Sequence, residues 1–166
     1  MLKRLTDYLD RNKVKYIAMA HSPAYTSEEI AAIAHLPGKE IAKTVMMKIE
    51  EKMTMIVLPA SYMIDFSELR RVLAAQKTEL ATEDEFRGLF PECEVGAMPP
   101  FGNLFGIEVV VEKSLAMDQE IAFNAGTHNE LLRMTYRDFD RLVKPRALSF
   151  GVPKRTHETD VEHLTL

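Results

Sequence analysis

The fold class of this chain is decided by one stretch, Ala42-Lys43-Thr44-Val45-Met46-Met47-Lys48-Ile49-Glu50-Glu51-Lys52-Met53-Thr54-Met55-Ile56-Val57-Leu58. Two mostly apolar runs, 42–49 and 53–58, flank the polar segment Glu50-Glu51-Lys52. Runs of this length on either side of a short polar break predict two β-strands joined by a hairpin turn. Because apolar residues occupy nearly every position, we expect both strands to lie centrally in a sheet.

Helical patterns flank the hairpin on both sides. Upstream, apolar residues recur at helical spacing within 2–9, and Thr26 begins a capping box that precedes a second helix. Downstream, Asp65 and Thr82 are each followed three residues later by Glu, which predicts two further helix starts. The pattern of 136–143 predicts a last helix, which ends near a proline.

Further strands are predicted at 15–19, 107–112, 121–125 and 131–134. Strands and helices do not follow a strict βαβ alternation. We therefore predict a mixed α/β (α+β) single domain with a largely antiparallel, curled central sheet flanked by helices. We place the domain at residues 1–146 and expect 147–166 to be an irregular C-terminal tail, because that segment shows no clear period.

The bulk composition limits the possible functions. The 166 residues fit one compact domain, and 46% hydrophobic with 28% charged residues is an ordinary globular balance. The single cysteine, and the lack of a signal peptide or of an apolar run near the ~20 residues that cross a bilayer, predict a cytoplasmic protein. The net charge of −4 predicts weak or small-footprint binding to any RNA.

Lys43 is the most informative single residue. Side chains alternate along a strand, so Lys43 shares a face with Val45, Met47 and Ile49, which are expected to be core. A lysine at the start of such a row either extends outward to solvent or lines the mouth of a pocket. A partly desolvated ammonium group in a pocket can bind a phosphate or a carbonyl oxygen. Spacing alone leaves both interpretations open.

Two other segments carry candidate ligand contacts. In Gly96-Ala97-Met98-Pro99-Pro100-Phe101-Gly102, glycine permits close backbone approach and the prolines stiffen the loop. In Phe123-Asn124-Ala125-Gly126-Thr127-His128, a strand ends in small and then polar residues that can offer backbone N–H groups to an oxyanion. Each segment can also be a plain turn.

Metal and thiol chemistry are disfavoured. His157, Glu158, Asp160 and His163 lie close together but lack zinc-ligand spacing. Cys93 lies between two glutamates, whose charges disfavour a thiolate. We therefore expect neither a metal nor a cofactor.

Four segments together resemble the YbaK/prolyl-tRNA synthetase-associated domain family over roughly residues 1–145. Gly38 to Val45 resembles the stretch around the family's functional lysine, which would be Lys43. Gly96 to Pro100 matches its glycine-x-x-x-proline loop and continues into Phe101-Gly102. The remaining two matches are the asparagine-x-glycine strand end Asn124-Ala125-Gly126 and the opening element His21-Ser22-Pro23 with Thr26 and Glu29.

The resemblance implies a freestanding, metal-independent deacylase that edits mischarged aminoacyl-tRNA in trans. Lys43 would be the catalytic residue, and substrate groups would help to activate water. The substrate-binding residues would be His21, Thr44, Gly96, Ala97, Met98, Pro99, Pro100, Phe101, Gly102, Asn124, Ala125, Gly126, Thr127 and His128. The partners implied are the 3′ acceptor end of an aminoacyl-tRNA carrying a small amino acid, and an aminoacyl-tRNA synthetase.

Two alternatives stay open. One is a non-catalytic binding module of the same fold that recognises a small molecule, a tRNA end or a synthetase, which the acidic net charge favours. The other is a hydrolase of another activated amino-acid ester. Met98 departs from the family's usual loop filling, so the size of the pocket does not follow from the resemblance.

Overall fold

The computed structural model describes residues 1–154. Its five helices are α1 Lys3–Arg11, α2 Ser27–Ala34, α3 Phe66–Leu73, α4 Glu83–Phe86 and α5 Tyr136–Val143. Its ten strands are β1 Ile17–Ala20, β2 Ala42–Ile49, β3 Lys52–Pro59, β4 Tyr62–Ile64, β5 Thr78–Leu80, β6 Glu108–Glu112, β7 Glu120–Asn124, β8 Glu130–Thr135, β9 Arg146–Leu148 and β10 Gly151–Pro153. No helix in this part of the chain is long and apolar enough to cross a membrane.

The predicted hairpin is formed by β2 and β3. Ile49 pairs with Lys52, so the turn contains only Glu50 and Glu51, and Lys52 belongs to the strand. Both glutamates have positive φ, 49° and 70°, as a type I′ turn requires. The twist of such a turn matches the right-handed twist of the strands it joins.

The strands form three sheets. The largest has the order β5-β2-β3-β6-β9, in which β2 is antiparallel to both neighbours and β6 is parallel to both. A second, antiparallel sheet has the order β1-β8-β7, and β4 pairs antiparallel with β10. A bridge between Ile41 and Ala122 joins the first two sheets where β2 begins. The predicted mixed α/β single domain is confirmed. Among the described residues most strand pairs are antiparallel, but the central five-stranded sheet, predicted to be largely antiparallel, has two antiparallel and two parallel pairings.

The helix starts are also confirmed. The side chains of Thr26, Asp65 and Thr82 each accept a hydrogen bond from the backbone N–H three residues later, at 3.1, 3.1 and 3.3 Å. Each bond satisfies an N–H group that the first helical turn would otherwise leave unpaired. Local sequence therefore sets where α2, α3 and α4 begin.

The five-stranded sheet is buried on both faces, as its apolar strands predict. On one face Met55, Val57 and Val109 pack in the main core, which also includes the inner sides of α1 and α5. On the other face the sheet packs against α3 through its buried Leu69. The buried residues of this cluster are Met47, Ile56, Leu58, Leu69, Val110 and Phe150. Lys43 lies on this second face, at the end of the row that contains Met47.

Part of the expected irregular tail is instead β structure. Residues 146–148 pair parallel with β6, and 151–153 pair antiparallel with β4. Buried Phe150 lies between these two short strands. Strands of three residues carry too little periodicity to be recognised, and both gain their hydrogen bonds from distant parts of the chain. Residues 155–166 lie outside the described part.

Candidate functional site

A cavity of about 220 Å³ opens where β2 begins. Its walls come from the start of α2, the first residues of β2, the loop after residue 95 and the last residue of β7. The lining residues are Tyr25, Thr26, Glu28, Ile30, Ala42, Lys43, Thr44, Gly96, Met98 and Asn124. Residues from three predicted segments, far apart in sequence, therefore meet in one place.

Five of the residues predicted from the sequence line this cavity: Lys43, Thr44, Gly96, Met98 and Asn124. The other ten predicted residues do not line it. They are His21, Ala97, Pro99, Pro100, Phe101, Gly102, Ala125, Gly126, Thr127 and His128.

Lys43 is half-buried, and its Nζ donates a hydrogen bond to the backbone carbonyl of Tyr62 at 2.7 Å. Burial lowers the pKa of its ammonium group from the ordinary value, because a charged group is disfavoured where water is partly excluded. Within residues 1–154 it forms no ion pair with a carboxylate. Lys43 therefore presents a cation with one neutral partner to the cavity.

The loop divides into two cavity residues and five packing residues. Gly96 has φ +86°, and its N–H donates to Met98 Sδ at 3.3 Å, which holds the methionine against the cavity. Phe101 packs edge-on or tilted against the rings of Tyr8, Phe123 and Phe139.

The remaining packing residues of the loop are also buried. A Cβ at Gly102 would lie 2.6 Å from the carbonyl oxygen of Ile107, so no larger residue fits there. Ala97, Pro99 and Pro100 are likewise buried. The loop is therefore anchored in the core, and only its first part reaches the cavity.

The end of β7 contributes a side chain rather than backbone N–H groups. Asn124 Oδ1 is buried and accepts no hydrogen bond. Most of the backbone N–H groups that follow are already used: Ala125 donates to Glu130, and Gly126 donates to Ala97 at 3.0 Å. His128 N–H donates to Glu94 Oε2 at 3.1 Å. The free acceptor in this wall is therefore the Asn124 amide.

A second, smaller cavity of about 120 Å³ adjoins the first, and Tyr25 lines both. The Tyr25 ring is 72% exposed and lies 4.7 Å from the ring of His128, which lines only the smaller cavity. His128 Nε2 is hydrogen-bonded to the Val95 carbonyl at 2.8 Å. His21 lines neither cavity, and its backbone N–H donates to Asn129. Thr127 donates through Oγ1 to Asn129 Oδ1 at 2.8 Å.

Sequence reasoning missed the wall formed by α2. Thr26 was recognised as a helix start, but its neighbours Tyr25 and Glu28 were not singled out, although both line the cavity. Glu28 forms an ion pair with Lys154. The one sequence signal was Tyr25, an aromatic residue directly before the capping box. In the structure the first turn of that helix faces the start of β2.

Within residues 1–154, no serine, cysteine or histidine lines the cavity. Thr26 Oγ1 is the helix cap, and Cys93 does not line the cavity. Burial and, secondarily, the Glu92 carboxylate raise the pKa of the Cys93 thiol to about 11. No group of three or more His, Cys, Asp or Glu is placed to hold a metal ion within residues 1–154. The cluster from His157 to His163 lies outside the described residues.

The geometry suits a small ligand with a specific polar pattern. The Lys43 ammonium can bind an oxygen that carries or develops negative charge. The Asn124 carbonyl can accept a hydrogen bond from an N–H or O–H group, and its burial without a partner is costly until it does. Met98 and Ile30 supply the apolar part of the wall.

A model of the aminoacyl-tRNA editing domain matches residues 21–142, well over half of the chain. The chain is 26% identical over 148 residues to the prolyl-tRNA editing protein ProX of Acetoanaerobium sticklandii. The aligned region covers 86% of this chain and 90% of that protein. The chain is 28% identical over 89 residues to proline–tRNA ligase of Bacillus cytotoxicus, over 54% of this chain but only 16% of the ligase.

The fold matches as well. A crystal structure of a proposed trans-editing enzyme for prolyl tRNA synthetase superposes with a TM-score of 0.76 at 19% identity. The match covers 90% of this chain and 96% of that one.

Proposed function

We propose that this chain, which belongs to the aminoacyl-tRNA editing domain family, hydrolyses the ester that joins a small, wrongly attached amino acid to the 3′ end of a tRNA. It would act in trans, as a protein separate from the synthetase that made the error. The observation that carries the proposal is the pairing of half-buried Lys43 with the unpartnered Asn124 carbonyl in one small cavity. An aminoacyl ester offers a complementary group to each.

The cavity has room for an aminoacyl group. We place the terminal adenosine at the mouth of the cavity. Tyr25, which is 72% exposed there, presents an aromatic face on which a base can stack. Met98, held by the N–H of Gly96, would set the upper limit on side-chain size.

Lys43 would stabilise the transition state by binding the ester carbonyl oxygen as it becomes an oxyanion. Water adds to the carbonyl carbon, the bond from that carbon to the ribose oxygen breaks, and the ribose oxygen takes up a proton. Asn124 Oδ1 would accept a hydrogen bond from the α-ammonium group of the aminoacyl moiety and so orient the ester. An aminoacyl ester is already activated, so positioning and one cationic donor suffice to accelerate its hydrolysis.

The relatives favour proline-charging systems as the source of the substrate. One relative is a prolyl-tRNA editing protein and the other is a proline–tRNA ligase. We propose a tRNA of that system, misacylated with a smaller amino acid, as the first substrate to test. The net charge of −4 agrees with a contact confined to the acceptor end, because a long RNA footprint calls for a basic surface.

A deacylation assay tests the proposal. Purified chain is incubated with tRNA charged with Ala, Ser, Thr, Cys or Pro, and the release of amino acid is followed beside Lys43→Ala. We expect rapid loss of one or two esters by the wild type, and a rate close to the spontaneous one for the variant. Folded wild-type protein that hydrolyses none of the five would contradict the proposal and favour a binding module.

Dependence on the tRNA body tests the remaining alternative. If an aminoacylated minimal nucleotide reacts as fast as intact tRNA, the substrate is an activated amino-acid ester in general. We expect the intact tRNA to react faster, because the acceptor end supplies binding energy that the minimal ester lacks.

A further inference from the structure

The C-terminal segment Phe150–Lys154 lies outside the matched family region. Lys154 nevertheless forms an ion pair with the cavity-lining Glu28, and Pro153 pairs with Tyr62, whose carbonyl accepts the hydrogen bond of Lys43. We infer that this segment, called the strap below, positions Lys43 and the α2 wall for substrate binding. The inference rests on the proposed function, since it assigns Lys154 and its partner Glu28 as positioning residues for that same site.

The strap is held firmly at its first residues. The buried carboxylate of Glu112 accepts hydrogen bonds from the N–H groups of Phe150 and Gly151, at 2.7 and 2.6 Å. The Phe150 carbonyl accepts a hydrogen bond from Asp65 N–H at 2.9 Å, and the Phe150 ring is 1% exposed. These contacts attach the strap to β6 and to the start of α3.

One line of contacts runs from the strap to Lys43. β10 pairs with β4 so that Pro153 lies opposite Tyr62, and Lys154 N–H donates to the Ser61 carbonyl at 2.9 Å. The carbonyl of the same Tyr62 accepts the hydrogen bond of Lys43 Nζ. β4 has only three residues and β10 is its one sheet partner within residues 1–154, so β10 fixes where that carbonyl lies.

A second line of contacts runs from the strap to the opposite wall. The ammonium group of Lys154 forms an ion pair with Glu28, which lines the cavity in the first turn of α2. α2 is not part of the five-stranded sheet. Within the described residues, the Lys154–Glu28 ion pair connects α2 to the paired strands β4 and β10. Lys154 itself does not line the cavity, so removing its charge changes the wall without removing a ligand contact.

Variants of the full-length chain separate positioning from general stability. Lys154→Met should raise KM for the aminoacyl-tRNA about threefold and leave kcat nearly unchanged, the scale expected from one partly exposed ion pair. Lys154→Arg should restore the wild-type KM, because it keeps the charge.

A matched control is the exposed pair Lys52–Glu108, at the far end of β3 from the cavity. Lys52→Met removes a more exposed ion pair that is remote from the cavity, and it should leave both KM and kcat unchanged. If Lys52→Met raised KM as much as Lys154→Met, the effect would reflect surface charge in general and the inference would fail.

A readout that does not depend on turnover keeps the two proposals distinguishable. Amide hydrogen exchange, followed by mass spectrometry, should become severalfold faster in the α2 peptide of Lys154→Met, and stay at the wild-type rate in Lys154→Arg and Lys52→Met. Unchanged exchange and unchanged KM in Lys154→Met would contradict the positioning role of the strap and would leave the proposed deacylase function unaffected. A wild type without turnover, whose α2 exchange still responds to Lys154→Met, would overturn the proposed function and leave the strap as a structural element.

Discussion

Two lysines on β2 have the same side chain and opposite surroundings. Lys43, at the cavity, is half-buried, and its hydrogen bond goes to a neutral carbonyl. Lys48, near the other end of the strand, forms ion pairs with Glu79 at 3.2 Å and Glu85 at 2.5 Å. Hydrogen bonds to these carboxylates, that to Glu85 first, raise the pKa of Lys48, whereas burial lowers the pKa of Lys43.

The difference separates a lysine available for a ligand from one that serves the fold. The charge of Lys48 is already neutralised by protein carboxylates, so it gains little from any further partner. The charge of Lys43 is uncompensated by a carboxylate within residues 1–154, so an oxyanion would be its first anionic partner. An ionisable group whose charged form is destabilised by burial, as in Lys43, is typical of functional sites.

The largest effect is expected for Lys43→Met, which keeps the length of the side chain and removes its charge. We expect kcat/KM for deacylation to fall about 100-fold to 1000-fold, as when one oxyanion donor is removed. The variant loses the hydrogen bond to the Tyr62 carbonyl but also loses a partly desolvated ammonium group, so the urea midpoint should change little. A loss of activity that came with a matching loss of stability would contradict this separation.

A smaller effect is expected for Asn124→Leu, which replaces the unpartnered amide with an apolar group of similar shape. We expect kcat/KM to fall about tenfold, the scale of one hydrogen bond to a charged substrate group. Stability should not decrease, since no internal hydrogen bond of Oδ1 is lost. Wild-type kcat/KM in this variant would remove Asn124 from the proposed mechanism.

A third test uses the pH dependence of stability at Lys43. Its folded-state pKa lies below the unfolded value of 10.5, so between these two values the unfolded chain binds more protons. The free energy of unfolding of the wild type should therefore rise, relative to Lys43→Met, as pH increases toward 10.5. Urea titrations of both proteins from pH 7 to 10.5 measure this, and a constant difference across that range would argue against a destabilised ammonium.

The smallest effect on activity is expected for Lys48→Met, which should keep wild-type kcat/KM. Its effect should be on stability, with a modestly lower urea midpoint at neutral pH. The hydrogen bond from Lys48 is the first cause that lowers the pKa of Glu85 to about 2. The stabilisation is therefore fully present above the unfolded pKa of about 4.5 and is lost as pH falls toward 2. The stability difference between Lys48→Met and the wild type should shrink over that range.

Much of the fold could be predicted because the deciding signals were local. The caps at Thr26, Asp65 and Thr82 and the apolar runs of β2 and β3 are set by neighbouring residues, and each was confirmed. The three-residue strands β4, β5, β9 and β10 could not be predicted, because strands so short are defined by their partners. Partners distant in sequence leave no periodic trace.

The candidate site, like the fold, could be predicted only in part. Resemblance gave Lys43, Thr44, Gly96, Met98 and Asn124, which the fold brings to one cavity, and their individual roles stay predictions. It did not separate these residues from Phe101 and Gly102, whose place in the same loop is explained by core packing. It also missed Tyr25 and Glu28, since the side of α2 that lines the cavity depends on how that helix packs.

The most direct measurement is a single-turnover deacylation of the most reactive mischarged tRNA by wild type, Lys43→Met and Lys48→Met, run in parallel on folded protein. The result we predict is wild-type hydrolysis by Lys48→Met and a rate near the spontaneous one for Lys43→Met. Equal rates for the two variants would contradict the assignment of Lys43 as the residue that acts on the ester.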